Sequence, residues 1–326
     1  MNRRHLGLQV VQLLLAVLLG LGGQAAWAAY PEQPIKLVVG FPPGGGADLY
    51  GRAIATELAK HVGQNVVVEN KTGAGGNIAA EQVALARPDG YTLLLAMSGN
   101  LGSAPAIRTD LRYKVPDDFA MISQLVETPF GLMVSEGSSI KTYADFAQVA
   151  RKGKLNYAST GTGGAAQIVM EMFKQQSGLD ILHIPYRGSG PVLNDLYGGV
   201  VDSFLAPYTP LMGQIRSGKL RLLAVSSDKR VPNLPQVPTL KELGVNVVMT
   251  QWYGLVAPKG TPPAVVEHLQ RAVAQSMKSS DLLKVLRADG AQESALSGNA
   301  FRDFIVRDIA NYKQAVLRGN LQAGNE

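Results

Sequence analysis

Three glycine-rich loops hold most of the chemistry that can be read directly from this sequence. They are Phe41-Pro42-Pro43-Gly44-Gly45-Gly46-Ala47-Asp48, Asn70-Lys71-Thr72-Gly73-Ala74-Gly75-Gly76-Asn77 and Ser159-Thr160-Gly161-Thr162-Gly163-Gly164. Each follows a strand-like apolar run and precedes a helical pattern. Glycine lets the main chain approach a ligand closely, and a helix start offers free N–H groups with a partial positive charge. A carboxylate or a phosphate is the natural guest of such a loop. Lys71 is the only cationic side chain in the three loops. An anion bound here is therefore held by backbone N–H groups and by hydroxyls, for which Ser98, Thr160 and Thr162 are the candidates. One such loop is explained by the needs of a tight turn; three of them, spread over both halves of the chain, favour a ligand. Asp48 falls in the first turn of its helix. There it either complements the helix dipole or holds a bridging water or a ligand ammonium group. Tyr186, in Ile184-Pro185-Tyr186-Arg187-Gly188, follows a strand, and Asp202, in Gly198-Gly199-Val200-Val201-Asp202, begins one. Each reads as a turn residue or as the wall of a pocket.

Other chemistries find less support. Gly161-Thr162-Gly163-Gly164-Ala165-Ala166 fits the dinucleotide pattern G-x-G-x-x-A, with Asp180 about twenty residues on. The pattern is loose in a glycine-rich chain, and it starts mid-chain. No G-x-x-x-x-G-K-[ST] phosphate loop and no G-x-S-x-G elbow occur. Ser138-Ser139-Ile140-Lys141 and Lys71-Thr72-Gly73 match two motifs of penicillin-binding enzymes, but in reversed order. His61, His183 and His268 are isolated, with no metal-binding pair among them, and cysteine is absent. This removes disulfides, Cys-bound zinc and thiol nucleophiles, and no cofactor or metal is implied. The enzyme reading that survives is an exported α/β enzyme using the Gly161 loop or a scattered Ser/His site.

The elements that must position these loops alternate. Strands are expected at Ile35–Gly40, Asn65–Glu69 and Tyr91–Ala96, with helices over residues 47–62 and 77–86. The pattern restarts with strands at Leu155–Ala158, Ile181–Pro185, Val201–Leu205 and Leu220–Ser226, interleaved with helices over 164–177, 191–197 and 212–217. Helices over 263–278 and 299–318 close the chain. Such alternation indicates βαβ units and mainly parallel sheets flanked by helices. Phe130-Gly131-Leu132-Met133-Val134 is echoed by Tyr253-Gly254-Leu255-Val256-Ala257. Both stretches stand where the strand pattern restarts. Two lobes follow: residues 29–126 with 250–326 in the first, and 127–249 in the second. Trp252 and Tyr253 are expected in the core or at the lobe junction.

Residues 1–28 have the three parts of a signal peptide: Arg3-Arg4, an uncharged apolar run from Leu8 to Gly23, and Ala26-Trp27-Ala28 before the cut. Cleavage after Ala28 is expected. It leaves 29 basic and 25 acidic residues, a net charge of +4. The basic residues are scattered, so no nucleic-acid footprint is present. With 46% apolar and 17% charged residues, the 326-residue chain has ample material for buried cores.

The loops, together with Val67-Val68-Glu69-Asn70-Lys71, Pro88-Asp89-Gly90-Tyr91-Thr92-Leu93, Asp195-Leu196-Tyr197-Gly198-Gly199 and Leu255-Val256-Ala257-Pro258-Lys259-Gly260-Thr261-Pro262, resemble in order and spacing the Bug-type receptors of tripartite tricarboxylate transporters. The resemblance covers nearly the whole mature chain. It implies a two-lobed periplasmic binding protein fold, closing on a small carboxylate such as an organic acid or amino acid. It also implies capture by the Thr160–Gly164 loop with water bridges to the first glycine loop, a monomer, and a membrane transporter as partner. Two departures stand out. Gln167 lies where the helix usually carries a histidine, and Met97-Ser98-Gly99-Asn100 is unlike many members. Both touch the expected pocket. The expected ligand-binding set is Phe41, Gly44, Gly45, Asp48, Gly75, Ser98, Asn100, Thr160, Gly161, Thr162, Gly163, Gln167, Tyr186 and Asp202.

Overall fold

Strands and helices alternate from Ile35 onward in the computed structural model, which describes residues 30–160, 164–186, 189–288, 291–294 and 296–319. The first units are β1 (Ile35–Val39), α1 (Gly46–Val62), β2 (Val66–Asn70), α2 (Asn77–Ala84) and β3 (Thr92–Met97). A π-helical turn, Ser98–Ser103, runs into the short α3 (Ala104–Ile107). Then come β4 (Phe119–Ser135), α4 (Tyr143–Ala150), β5 (Asn156–Ser159), α5 (Ala165–Ser177), β6 (Leu182–Pro185), α6 (Ser189–Tyr197), β7 (Ser203–Pro207), α7 (Met212–Arg216) and β8 (Leu220–Val225). The chain ends with β9 (Thr250–Pro258), α8 (Pro263–Ser276), α9 (Ser280–Ala288), β10 (Gln292–Glu293) and α10 (Gly298–Gly319). The sequence reading lacked α3, α9, β10 and the first half of β4, and gave no bounds for α4, the helix it expected after Ser138. Helix α4 is set locally: Thr142 Oγ1 accepts the Asp145 N–H, and Asp145 accepts the Thr142 N–H in return.

The strands follow the order β2-β1-β3-β9-β4-β7-β5-β6, with β10 and β8 also paired to β4. β2-β1-β3 and β6-β5-β7 are parallel trios. β4, β8 and β9 add antiparallel pairs, so each half is mixed. β4 belongs to two sheets. Phe119–Pro129 pairs with β9, and Phe130–Ser135 pairs with β7 and β8. The change of partner falls at Pro129, which has no N–H to give to a ladder.

Two of the cores follow this division. Val38, Leu94, Leu101, Trp252, Val256, Phe301 and Ile305 pack together on the first sheet. Phe130, Tyr157, Ala165, Val169, Phe173 and Leu223 do so on the second. α10 serves both, because Phe301 and Ile305 lie in the first core while Tyr312 and Ala315 lie in the second. Trp252 is wholly buried, edge-on to Phe301, and donates its Nε1–H to Asp308 Oδ2 at 2.8 Å. Burial pushes the Asp308 carboxyl up to about 7, against the opposing pull of the Trp252 bond. Tyr253 packs edge-on against Tyr50, with ring centroids 4.9 Å apart.

Candidate functional site

The first two glycine loops are welded together at the carboxyl ends of β1 and β2. A Cβ on Gly40 would stand 2.6 Å from Gly76 Cα, so the two backbones touch only because Gly40 has no side chain. Phe41 and Asn100 close over Gly76 at 3.1 Å and 3.4 Å from where its Cβ would be. In the second loop Gly73, Ala74, Gly75 and Gly76 all have positive φ, a run that L side chains resist. Asn100 ties in the end of β3: its Oδ1 accepts the Met97 N–H at 2.9 Å, and its Nδ2 lies 3.5 Å from Gly76 O. Ser98 is fully buried with its hydroxyl next to that of Tyr312, and neither makes a hydrogen bond of ordinary geometry among the described residues. The structure thus gathers Phe41, Gly44, Gly45, Asp48, Gly75, Ser98 and Asn100 at one end of the first sheet.

Asp48 is a brace within this half-site. Its Oδ2 accepts the Gly44 N–H at 2.9 Å and Arg52 Nε at 3.0 Å, and its Oδ1 accepts Asn70 Nδ2 at 2.9 Å. Asn70 Nδ2 also donates to Phe41 O. The Arg52 guanidinium, followed by the Gly44 and Asn70 bonds, holds the Asp48 carboxyl down at about 2 despite its burial. Sequence reasoning passed over Arg52 and Asn70. The i, i+4 spacing of Asp48 and Arg52 was the available signal.

The second half-site stands at the carboxyl ends of β5 and β6. Thr160 follows β5 and is exposed. Tyr186 follows β6; its N–H donates to Ser159 O at 3.0 Å and its hydroxyl to Asp195 Oδ2 at 2.6 Å, which pushes the phenol up to about 12. Gln167 lies in the first turn of α5, with its Nε2 3.2 Å from His183 Nδ1. His183 Nε2 is 2.7 Å from Ser159 Oγ. The sequence reading set His183 aside as isolated, yet the parallel pairing of β5 with β6 brings it beside Tyr157, two residues before Ser159 and on the same face of β5. Gly161, Thr162 and Gly163 lie outside the described residues.

Asp202 does not join this group. It precedes β7, and its Oδ2 accepts the N–H of Asn156, the first residue of β5, at 2.9 Å; Asn156 Oδ1 accepts the Asp202 N–H at 2.8 Å. β5 and β7 are parallel, so this reciprocal pair lies at their amino ends, the length of β5 away from Thr160. Asp202 fixes strand register there and is not a pocket wall.

The segment after β7 touches the start of α1. A Cβ on Gly46 would stand 3.1 Å from Pro210 Cγ, and Tyr50 Oη lies 3.5 Å from Thr209 Oγ1. Thr209 and Pro210 follow β7, in the second sheet. Ser159 and His183 are spaced like a nucleophile and its base, but Ser159 is wholly buried and offers no surface to a substrate.

Comparison with known proteins agrees with this geometry. Residues 50–321 match the family model described as tripartite tricarboxylate transporter family receptor. The chain is 35% identical to Protein BugT of Bordetella pertussis over 320 residues, covering 97% of this chain and 98% of BugT. A solved structure of R. palustris Rpa4515 with adipate is 30% identical with a TM-score of 0.83, covering 90% of this chain and 99% of that one. MatC (Rpa3494) from Rhodopseudomonas palustris with bound malate is 31% identical with a TM-score of 0.78, covering 88% and 100%. The fold is the α/β periplasmic binding protein fold, and the family is one of solute receptors and not of enzymes. On these matches the chain belongs to the tripartite tricarboxylate transporter receptor family, the Bug proteins.

Proposed function

We propose that this chain is an exported receptor, freed of its leader after Ala28, that captures a small organic acid or amino acid carboxylate. Capture takes place in a cleft between a lobe of residues 29–126 with 250–326 and a lobe of residues 127–249. The observation that carries this reading is the welded, braced arrangement of the first two glycine loops at the carboxyl ends of β1 and β2. Asp48 is neutralised by Arg52, so the first half-site presents main-chain N–H groups and no free anionic charge. The helix starts of α1 and α5 then meet a carboxylate from two sides. The adipate and malate found in two relatives belong to this ligand class. The switch of β4 from one sheet to the other at Pro129, and the start of β9 at Thr250, support lobe crossovers near 127 and 250. A membrane transporter of the tripartite tricarboxylate type is the partner that would receive the solute.

Isothermal calorimetry on the chain from Ala29, with adipate, malate and amino acids as probes, tests the reading. At least one carboxylate should bind, and Thr160→Ala should weaken it by about 1–2 kcal/mol through loss of one charge-assisted hydrogen bond. Silence across the carboxylates, or unchanged affinity in the variant, would remove the basis for this mechanism.

A further inference from the structure

His183 lies in the second half-site, and the proposed function leaves it without a role. One face of its ring stacks on Tyr157, with centroids 4.8 Å apart at 21°. Its two nitrogens reach two residues that flank the third glycine loop: Ser159 at the end of β5, and Gln167 in the first turn of α5. The placement of the Gln167 amide assigns one neutral tautomer. Gln167 places its amide NH2 toward Nδ1, so Nδ1 must accept, and the ring proton is on Nε2, pointing at Ser159 Oγ. Protonation adds a hydrogen to Nδ1. Two donors then face each other, and the conflict is relieved when the Gln167 carboxamide turns over and offers its Oε1. The bond from Nε2–H to Ser159 Oγ is unaffected.

We propose that His183 and Gln167 form a protonation-controlled donor–acceptor switch at the start of α5, which turns the Gln167 amide and adds a positive charge beside Thr160 when the imidazole is protonated. This inference rests on the reading of Thr160 and the first turn of α5 as half of the carboxylate site. The switch tightens carboxylate binding as pH falls, because a cation held against Ser159 and Gln167, next to Thr160 in the chain, attracts the anion. Two charged groups act on the imidazole among the described residues, and both come from α5. Glu171 favours the imidazolium and Lys174 disfavours it. They pair with each other at 3.1 Å, and Tyr157 Oη donates to the same Glu171 Oε1 at 2.8 Å. Burial is the largest influence on His183 and places its titration below the ordinary histidine value. The switch therefore operates on the acid side of neutrality.

Imidazole and side-chain amide NMR of the ligand-free protein tests the switch without any ligand. Above pH 7.5 the nitrogen shifts should report the Nε2–H tautomer. As pH falls, the Gln167 NH2 resonances should move with the His183 midpoint, and in His183→Gln they should stay still. An Nδ1–H tautomer, or a Gln167 amide that ignores the titration, overturns the proposal. Calorimetry with adipate and malate between pH 8 and 5 gives the second readout. The ratio of affinity at pH 5 to that at pH 8 should be about fivefold greater in the wild type than in His183→Gln, the probes' own carboxyl titration being common to both. Equal pH dependence in the two proteins also overturns it. A Gln167 amide that follows His183 while neither probe binds would support the switch and count against the carboxylate reading instead.

Discussion

Asp48 shows how a residue that invites a ligand role can serve the site indirectly. Its two oxygens are filled by Gly44, Arg52 and Asn70, so its work is to hold the first loop open in one shape. Asp48→Asn puts an amide N–H against groups that are themselves donors. The variant should lose on the order of 2 kcal/mol of stability at pH 7, read by urea unfolding, and bind carboxylate more weakly. The pH dependence follows from the depressed carboxyl. A folded-state value of about 2, below the ordinary aspartate value of 3.8, gives stability that is present above 3.8 and lost as pH falls toward 2. The gap between wild type and Asp48→Asn should therefore close over that window; a gap of constant size would show that the carboxylate charge is not the stabilising feature. At this scale the sequence was partly legible. The glycine loops announce themselves by composition. Asn70, Arg52 and His183 do not, because their value comes from partners that are set by strand pairing or one helical turn away.

The elements were legible where apolar runs and glycine turns alternate, as from β1 to β3. The first half of β4 was not, because Pro129 reads as a break and yet lies inside the strand, at the position where its neighbour changes. The echo of Phe130-Gly131 and Tyr253-Gly254 has a packing reason. A Cβ on Gly131 would collide with Leu222, and one on Gly254 would collide with the Phe301 ring and stand 2.9 Å from Ser123 O. Each glycine lets a neighbouring side chain close on a long central strand. Gly254→Ala must push α10 away from β9, and overpacking of this kind costs about 1–3 kcal/mol. Phe301 is the edge-on partner of Trp252, and with the leader gone Trp252 is the only tryptophan. Its fluorescence should therefore shift in Gly254→Ala alongside the loss of stability. An unshifted spectrum with full stability would mean that α10 accommodates the methyl group without moving.

For the whole molecule, the question is where it bends. Three connections pass between the sheets: β4, the chain entering β9, and α10. The first two meet at Ser226, which is wholly buried. Its Oγ accepts the Phe130 N–H at 2.9 Å and donates to Met249 O at 2.5 Å, while its own N–H and C=O bond Phe130 O and the Met249 N–H. On the proposed two-lobe division, four hydrogen bonds through one residue would put both crossovers on a single pivot. The first two glycine loops, by contrast, are locked by the Gly40–Gly76 contact and by Asp48, so they ride on their sheet as rigid parts. A carboxylate that touches both half-sites does so fully only when they approach, and it therefore favours the closed form by the energy of the second set of contacts. Small-angle scattering on the chain from Ala29 should show a smaller radius of gyration once a carboxylate proven to bind by calorimetry is added. Tyr50 and Thr209, already 3.5 Å apart, mark where the lobes would meet. A radius that stays constant at saturating ligand would favour a rigid, preformed pocket, with Ser226 acting as a rivet and not as a pivot.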